Sequence, residues 1–182
     1  MTRTATQNLE NDHIHVLRLT EVMQKMVEKK SENMEHMELV VNLVRHFADG
    51  LHHAKEEDLL FPMLGKKGFS AEQGPVAVML AEHVQGRTYI RGVADGIEAF
   101  KAGDRAALIS IYENLEEYTF LLIAHIGKEN NILFRMADQA LSSEEQSLLL
   151  AQFDDVEKHT DSAYQTANAV EAINNLAIIY LN

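Results

Sequence analysis

Two stretches of this chain place a histidine four residues ahead of a glutamate. His52 and Glu56 open the run H-H-A-K-E-E-D-L-L-F-P-M-L (52–64), and His125 and Glu129 open H-I-G-K-E-N-N-I-L-F-R-M-A (125–137). On an α-helix, residues four apart lie one above the other, about 6 Å along the axis, so an imidazole and a carboxylate can both reach a metal ion beside the helix. The two runs also share Lys55/Lys128, Leu60/Leu133, Phe61/Phe134 and Met63/Met136, giving six matches in thirteen positions. Ahead of each run lies an acid-His pair, Asp12-His13 and Glu82-His83, and the paired histidines are 39 and 42 positions apart. A repeat that keeps histidines and carboxylates together with its packing residues points to one metal site shared by two helix pairs.

The donor set is then four nitrogens, from His13, His52, His83 and His125, and two carboxylates, Glu56 and Glu129. It is too large for one tetrahedral zinc and suits two metals bridged by the carboxylates. Ligation by imidazole and carboxylate without sulfur favours iron or manganese, though zinc would bind as well. The spacing alone carries little weight. Three of the nine histidines (His52, His53 and His125) have Glu four positions on, where composition gives about one. The shared context carries the reading, because a buried His and Glu need compensation that a packing module does not.

Register selects among neighbours. Phe61 and Phe134 each lie nine residues past His52 and His125, which pairs His53 with Ile126 and Glu57 with Asn130. Neither His53 nor Glu57 is therefore needed as a ligand, and His53 reads as a supporting or surface residue. His15 has no counterpart beside His83 and is a fallback for His13. His36, His46 and His159 read as solvated or structural. Tyr118, two turns before His125, reads as core, with a ligand or hydrogen-bonding role as the alternative. Glu116-Glu117 and Asp154-Asp155 read as solvated faces, and Met23, Met26, Met34, Met37, Met63, Met79 and Met136 as gap-fillers of a helical core.

Helices must position these residues. Only two prolines occur, and Ala, Leu, Glu, Gln and Met are abundant, so an all-α fold is expected. Helical spacing of Val16, Leu19, Val22, Met23 and Met26 predicts a first helix from about Asn8 to Lys30. A second runs from about Met34 to Leu64, with Pro62 expected to kink its last turn. Ser70-x-x-Gln73 reads as a capping box for a third helix that contains Pro75 in its first turn and ends near Lys101. Asp104 is expected to cap a fourth helix that runs to about Ala140. Ser142-x-x-Glu145 is a second capping box and opens a C-terminal helical region, either one long helix or two, with Lys158 to Thr160 as the place for a bend. Short connections force antiparallel neighbours. The expectation is an up-down-up-down four-helix bundle over residues 1–141, with a C-terminal helical arm over 142–182 that packs on the bundle or mates with a second copy as a homodimer.

At 182 residues the chain can bury a full core, and with no cysteine it has neither disulfides nor thiolate metal sites. A net charge of −12 without a basic stripe argues against nucleic acid. Residues 1–12 are polar, without the apolar core of a secretory leader, and no apolar run reaches membrane-spanning length, so no membrane association and a cytoplasmic location are expected.

The ordered set His13, His52, Glu56, His83, His125 and Glu129, in the pattern H-HxxxE-H-HxxxE, resembles the hemerythrin-like, or HHE cation-binding, family in its bacterial and archaeal branch. The stretches Phe47-Ala48-Asp49 to Leu60-Phe61-Pro62 and Glu82-His83 to Gly86-Arg87 carry the likeness, which covers about Asn8 to Ala140. The resemblance implies a non-haem di-iron centre in a four-helix bundle, with carboxylates bridging the irons, a solvent-derived bridge, histidines capping, and open positions for a small ligand. Oxygen-carrying members have His-x-x-x-His on the third helix, and here the second of those positions is Arg87. The expected function is a metal-binding protein that binds or senses oxygen, peroxide or nitric oxide, with an enzyme acting on peroxide or nitric oxide and a metal-responsive interaction protein as alternatives.

Overall fold

Along four helices the buried side chains read apolar, polar, apolar, and the order of the two apolar ends alternates. The computed structural model describes residues 4–182; residues 1–3 of the expected 1–141 bundle lie outside the described residues. Helix α1 is Ala5–Glu28, α2 spans 34–65, α3 is Pro75–Lys101 and α4 spans 107–140. Helices α5, Ser143–His159, and α6, Thr166–Tyr180, follow. No strand occurs among the described residues, and no helix among them is long and apolar enough to cross a membrane.

One apolar cluster holds Ala5 and Leu9 of α1, Leu60, Phe61 and Leu64 of α2, Val76 and Met79 of α3, and Leu133, Phe134 and Ala137 of α4. The other holds Val16 to Met26 of α1, Met37 to Leu51 of α2, Ile90 to Ile97 of α3 and Ile111 to Ile126 of α4. Between them each helix contributes buried polar residues: Asp12 and His13, then His52, His53 and Glu56, then His83, then His125 and Glu129. Helices α1 and α3 enter this layer from the first cluster, α2 and α4 from the second. That alternation is the expected antiparallel bundle, with a charged layer clamped between two greasy ones.

The C-terminal region divides in two, broken at Thr160 and a short 3-10 turn, Ser162–Tyr164. Leu149 and Phe153 of α5 close one apolar cluster, while Ala169, Ile173, Leu176, Ala177 and Tyr180 of α6 extend the other. The Tyr180 hydroxyl meets His36 Nδ1 at 2.8 Å and Ser31 Oγ at 3.0 Å. His36 is thus a structural pin, and His46 stacks on Tyr164 with 4.3 Å between ring centroids.

Local signals were followed unevenly. A capping box, Thr4 with Gln7, starts α1 at Ala5, ahead of the expected Asn8. The Ser142–Glu145 box forms as expected. Ser70 accepts from Glu72 N–H instead and caps only a turn; α3 starts at Pro75 behind Gly74, whose φ of 81° needs no Cβ penalty. Asp104 likewise caps the turn ahead of α4, through Ala106 N–H. Met136 is a third exposed and is no core filler.

Two helices also widen. In α2 the stretches Val44–His53 and Glu56–Leu60 are π-helical, between α-helical Met34–Leu43 and Phe61–Gly65. In α4 the π stretch is Glu129–Leu133. Phe61 N–H donates to Glu56 O, and Phe134 N–H to Glu129 O, each reaching five residues back. The expected irregularity near Pro62 exists, but proline does not cause it: the matched stretch in α4 has Arg135 at that position. Single π turns inside helices recur at functional sites, and here one falls on each glutamate of the repeat.

Candidate metal centre

The repeat positions its histidines with its own lysines and acids. Asp12 on α1 accepts from His52 Nδ1 on α2 at 3.4 Å and from Lys55 Nζ at 2.9 Å. Glu82 on α3 accepts from His125 Nδ1 on α4 at 2.9 Å and from Lys128 Nζ. The other two histidines are held by another matched pair: Asn130 Oδ1 accepts from His13 Nδ1 at 2.7 Å, and Glu57 Oε1 from His83 Nδ1 at 2.6 Å. Phe134 stacks on His13 and Phe61 on His83, with centroids 5.5 and 6.1 Å apart. The repeated lysines and phenylalanines, and the acid ahead of each run, therefore have the same task in each half.

With every Nδ1–H committed to an oxygen, every Nε2 presents a bare lone pair to the centre. His13 Nε2 stands 3.0 Å from His52 Nε2, and His83 Nε2 stands 3.1 Å from His125 Nε2. Glu129 Oε2 lies 3.2 Å from both His13 and His125 Nε2. Glu56 sits 3.6 Å from His52 and 3.6 Å from His83. Each glutamate thus touches one histidine from each half. Yet all four oxygens of Glu56 and Glu129 are buried without an aligned hydrogen bond among the described residues. Bare nitrogens facing bare carboxylate oxygens in a dry layer repel unless a cation sits among them, so the donor set fits metal.

Two groups of donors each lie within 4.8 Å of one another: His13, His52, Glu56 and Glu129, and His53, Glu56, His83 and His125. All six residues named from the sequence converge there. His53, which the register argument left out, converges with them. It is 7 % exposed, its Nδ1 meets Asp49 Oδ1 at 3.1 Å, and its ring lies 3.8 Å from that of His83 at an interplanar angle of 13°. His15 is half-buried and joins neither group, and His159 is exposed. Glu57 and Arg87 are also structural partners of the site: Arg87 donates to Asp49 at 2.7–3.1 Å and to Glu57 at 2.7 Å.

The electrostatics divide the donors: His52, His53 and Glu129 are shifted towards their unprotonated forms, whereas burial raises Glu56 and the Glu129 carboxylate raises His125 against its burial. Burial pushes His52 down to about 4 and His53 down to about 3, so both imidazoles are neutral near pH 7. Burial, reinforced by the Glu129 carboxylate, raises the Glu56 carboxyl well above its ordinary value. Glu129 is held well below its own despite burial, because His125 and His13 face it. Asp12 stays low against burial through His52 and Lys55.

A cavity of about 250 Å³ opens beside the centre between α2, α3 and α4, reaching His53, His83 and His125. Arg45, Arg87 and Arg91 line it, with Tyr118 packed against Gly86. Tyr118 is core, as read from the sequence, but its hydroxyl has no hydrogen-bond partner among the described residues.

Residues 4–137 match the family described as Hemerythrin HHE cation binding domain. Over 88 residues, 47 % of this chain and 40 % of the relative, the sequence is 32 % identical to the iron-sulfur cluster repair protein YtfE of Escherichia coli O81 (strain ED1a). Proteins of the same name from Escherichia coli O157:H7 and Escherichia fergusonii are 31 % identical over 88 residues. The matched stretch spans less than half of these curated relatives. No solved structure matches.

Proposed function

Because this chain belongs to the hemerythrin HHE cation-binding domain family, we propose that it holds two iron ions between its four helices and binds or senses oxygen, or a related small redox species such as peroxide or nitric oxide. The observation that carries this reading is the set of four unpaired, buried carboxylate oxygens on Glu56 and Glu129. A carboxylate that touches a histidine of each half is placed to join two cations rather than to hold one. His13 and His52 would cap one position, and His83 and His125 the other. Iron pairs of this kind supply or accept electrons for a small redox molecule.

The chain's own residues do the rest. Asp12, Glu82, Glu57 and Asn130 fix the ring orientations and tautomers, and the two apolar clusters exclude water from above and below. The partial relatives, named for iron–sulfur cluster repair, support iron over zinc or manganese. Metal analysis and an aerobic absorption spectrum of protein purified without added metal test the reading. About two irons per chain, lost with retained helicity in Glu56→Ala/Glu129→Ala, is the expected outcome. Zinc alone would overturn it and leave a structural cation site, and no metal after iron reconstitution would overturn it and leave only the helical bundle.

The cavity beside His83 and His125 favours a second reading in which the pair acts on its ligand, because it gives a small molecule a route to the site. Peroxide or nitric oxide turnover by the iron-loaded protein, abolished in both glutamate variants, would support that reading. Saturable binding without turnover would exclude it.

A further inference from the structure

We propose that His53 is a fifth nitrogen donor, so that the two metal positions are unequal: His53, His83 and His125 serve one, and His13 and His52 the other. The inference rests on the paired-metal reading above.

Three observations carry it. His53 is prepared as the other four histidines are, with its Nδ1 occupied by a carboxylate, Asp49, which leaves Nε2 as the free donor. It reaches within 4.8 Å of the donors of Glu56, His83 and His125. Its orienting group is itself anchored: Arg87 grips Asp49 through Nε at 2.9 and 3.1 Å and also holds Glu57, the partner of His83. Arg87 therefore supports two imidazoles, His53 on α2 and His83 on α3, through two carboxylates.

The asymmetry follows from the repeat. Position 53 aligns with Ile126, which joins the apolar core and offers no donor. The π-helical stretch ending at His53 makes the exception possible. In a regular α-helix, adjacent residues point about 100° apart. The wider turn narrows that angle and lets His52 and His53 both face inward. With three imidazoles on one side and two on the other, the position that faces the cavity would be the more fully ligated of the two.

The test is Mössbauer and X-ray absorption spectroscopy of the iron-loaded protein and of His53→Ala. In the wild type, two iron signals of equal area and unequal parameters are expected, with an average of about 2.5 imidazoles per iron. In His53→Ala the average should fall to about two, the signals should converge, and iron affinity at one position should drop at least tenfold, with partial recovery in added imidazole. Two equivalent irons in the wild type, or unchanged spectra in a folded His53→Ala, would overturn the assignment of His53 while leaving the metal pair intact. Absence of any iron pair in the wild type would overturn both. The wild-type spectrum decides the matter even if the variant does not fold.

Discussion

Lys55 donates to Asp12 at 2.9 Å from a position only 2 % exposed, and Asp12 in turn orients His52. A lysine this deep is costly unless it is paired. Its counterpart, Lys128 on Glu82, is about a third exposed. The lysines of the repeat therefore belong to the site: each pins the carboxylate that aims a histidine.

Lys55→Met should destabilise the protein by about 3–5 kcal/mol, since it leaves Asp12 buried beside an apolar group. Lys128→Met should cost no more than about 1 kcal/mol, because water screens and partly replaces that pair. Metal affinity should fall about 10–100-fold in the first variant, through loss of His52 orientation. Urea unfolding and metal titration measure both. Equal costs for the two would refute the burial argument.

Glu56→Met should act in opposite directions on the two forms of the protein. Removing a buried carboxylate without a hydrogen bond should stabilise the metal-free protein by about 1–3 kcal/mol. The extra stability that iron confers should vanish. Melting curves with chelator and with iron separate the effects, and a variant less stable than wild type in chelator would show that Glu56 has a partner in the metal-free fold.

The metal-free protein should lose stability as the pH falls below about 6.5. His52 and His53 have folded values near 4 and 3 against an unfolded 6.5. The unfolded chain therefore binds more protons throughout that interval, and the contribution of both residues is complete above it and lost on acidification. Asp12, Asp49 and Glu129, all held below their ordinary values despite burial, extend the loss below the carboxylate range. Glu56 and His125 oppose it, because burial raises the Glu56 carboxyl and the Glu129 carboxylate raises His125 against its burial. His53→Ala should make the slope between about pH 6.5 and about pH 4.5 shallower, by up to about 1.4 kcal/mol per pH unit. An unchanged slope would mean that His53 is protonated in the fold.

Two glycines separate close packing from helix propensity. A Cβ on Gly96 would meet Ile111 Cγ1 at 2.7 Å, where α3 and α4 approach. Gly96→Ala should cost about 1–3 kcal/mol. Gly127, on α4, has nothing within 4 Å of its Cβ position. Gly127→Ala should add about 0.5–1 kcal/mol. Thermal unfolding of the pair tests whether the α3–α4 contact is as tight as it looks.

Legibility differed from residue to residue. Glu56 and Glu129 stood out because a duplicated context set them apart from the other carboxylates. Glu57 and Asn130 were aligned by the same register and set aside, although the alignment was itself the clue to their shared role with His83 and His13. The sequence allows one C-terminal helix or two, and the structure breaks the region at Thr160, the place read for a bend. Ser70 and Asp104 were not foreseen as mere turn caps, because a side chain can satisfy a nearby turn as readily as a helix end.

The sequence by itself determined an all-helical bundle, the antiparallel order of its four helices, and six inward residues. These follow from apolar periodicity and from a repeat in which chemistry and packing recur together. Only the tertiary structure decided that His53 faces inward, that the helices widen at both glutamates, and that each Nδ1 has its own oxygen. The reason is physical. A repeat reveals what two halves share and hides what one half has alone. The direction of an imidazole is set across helices, by acids such as Asp12, 40 residues from His52, and by backbone winding that no local pattern records.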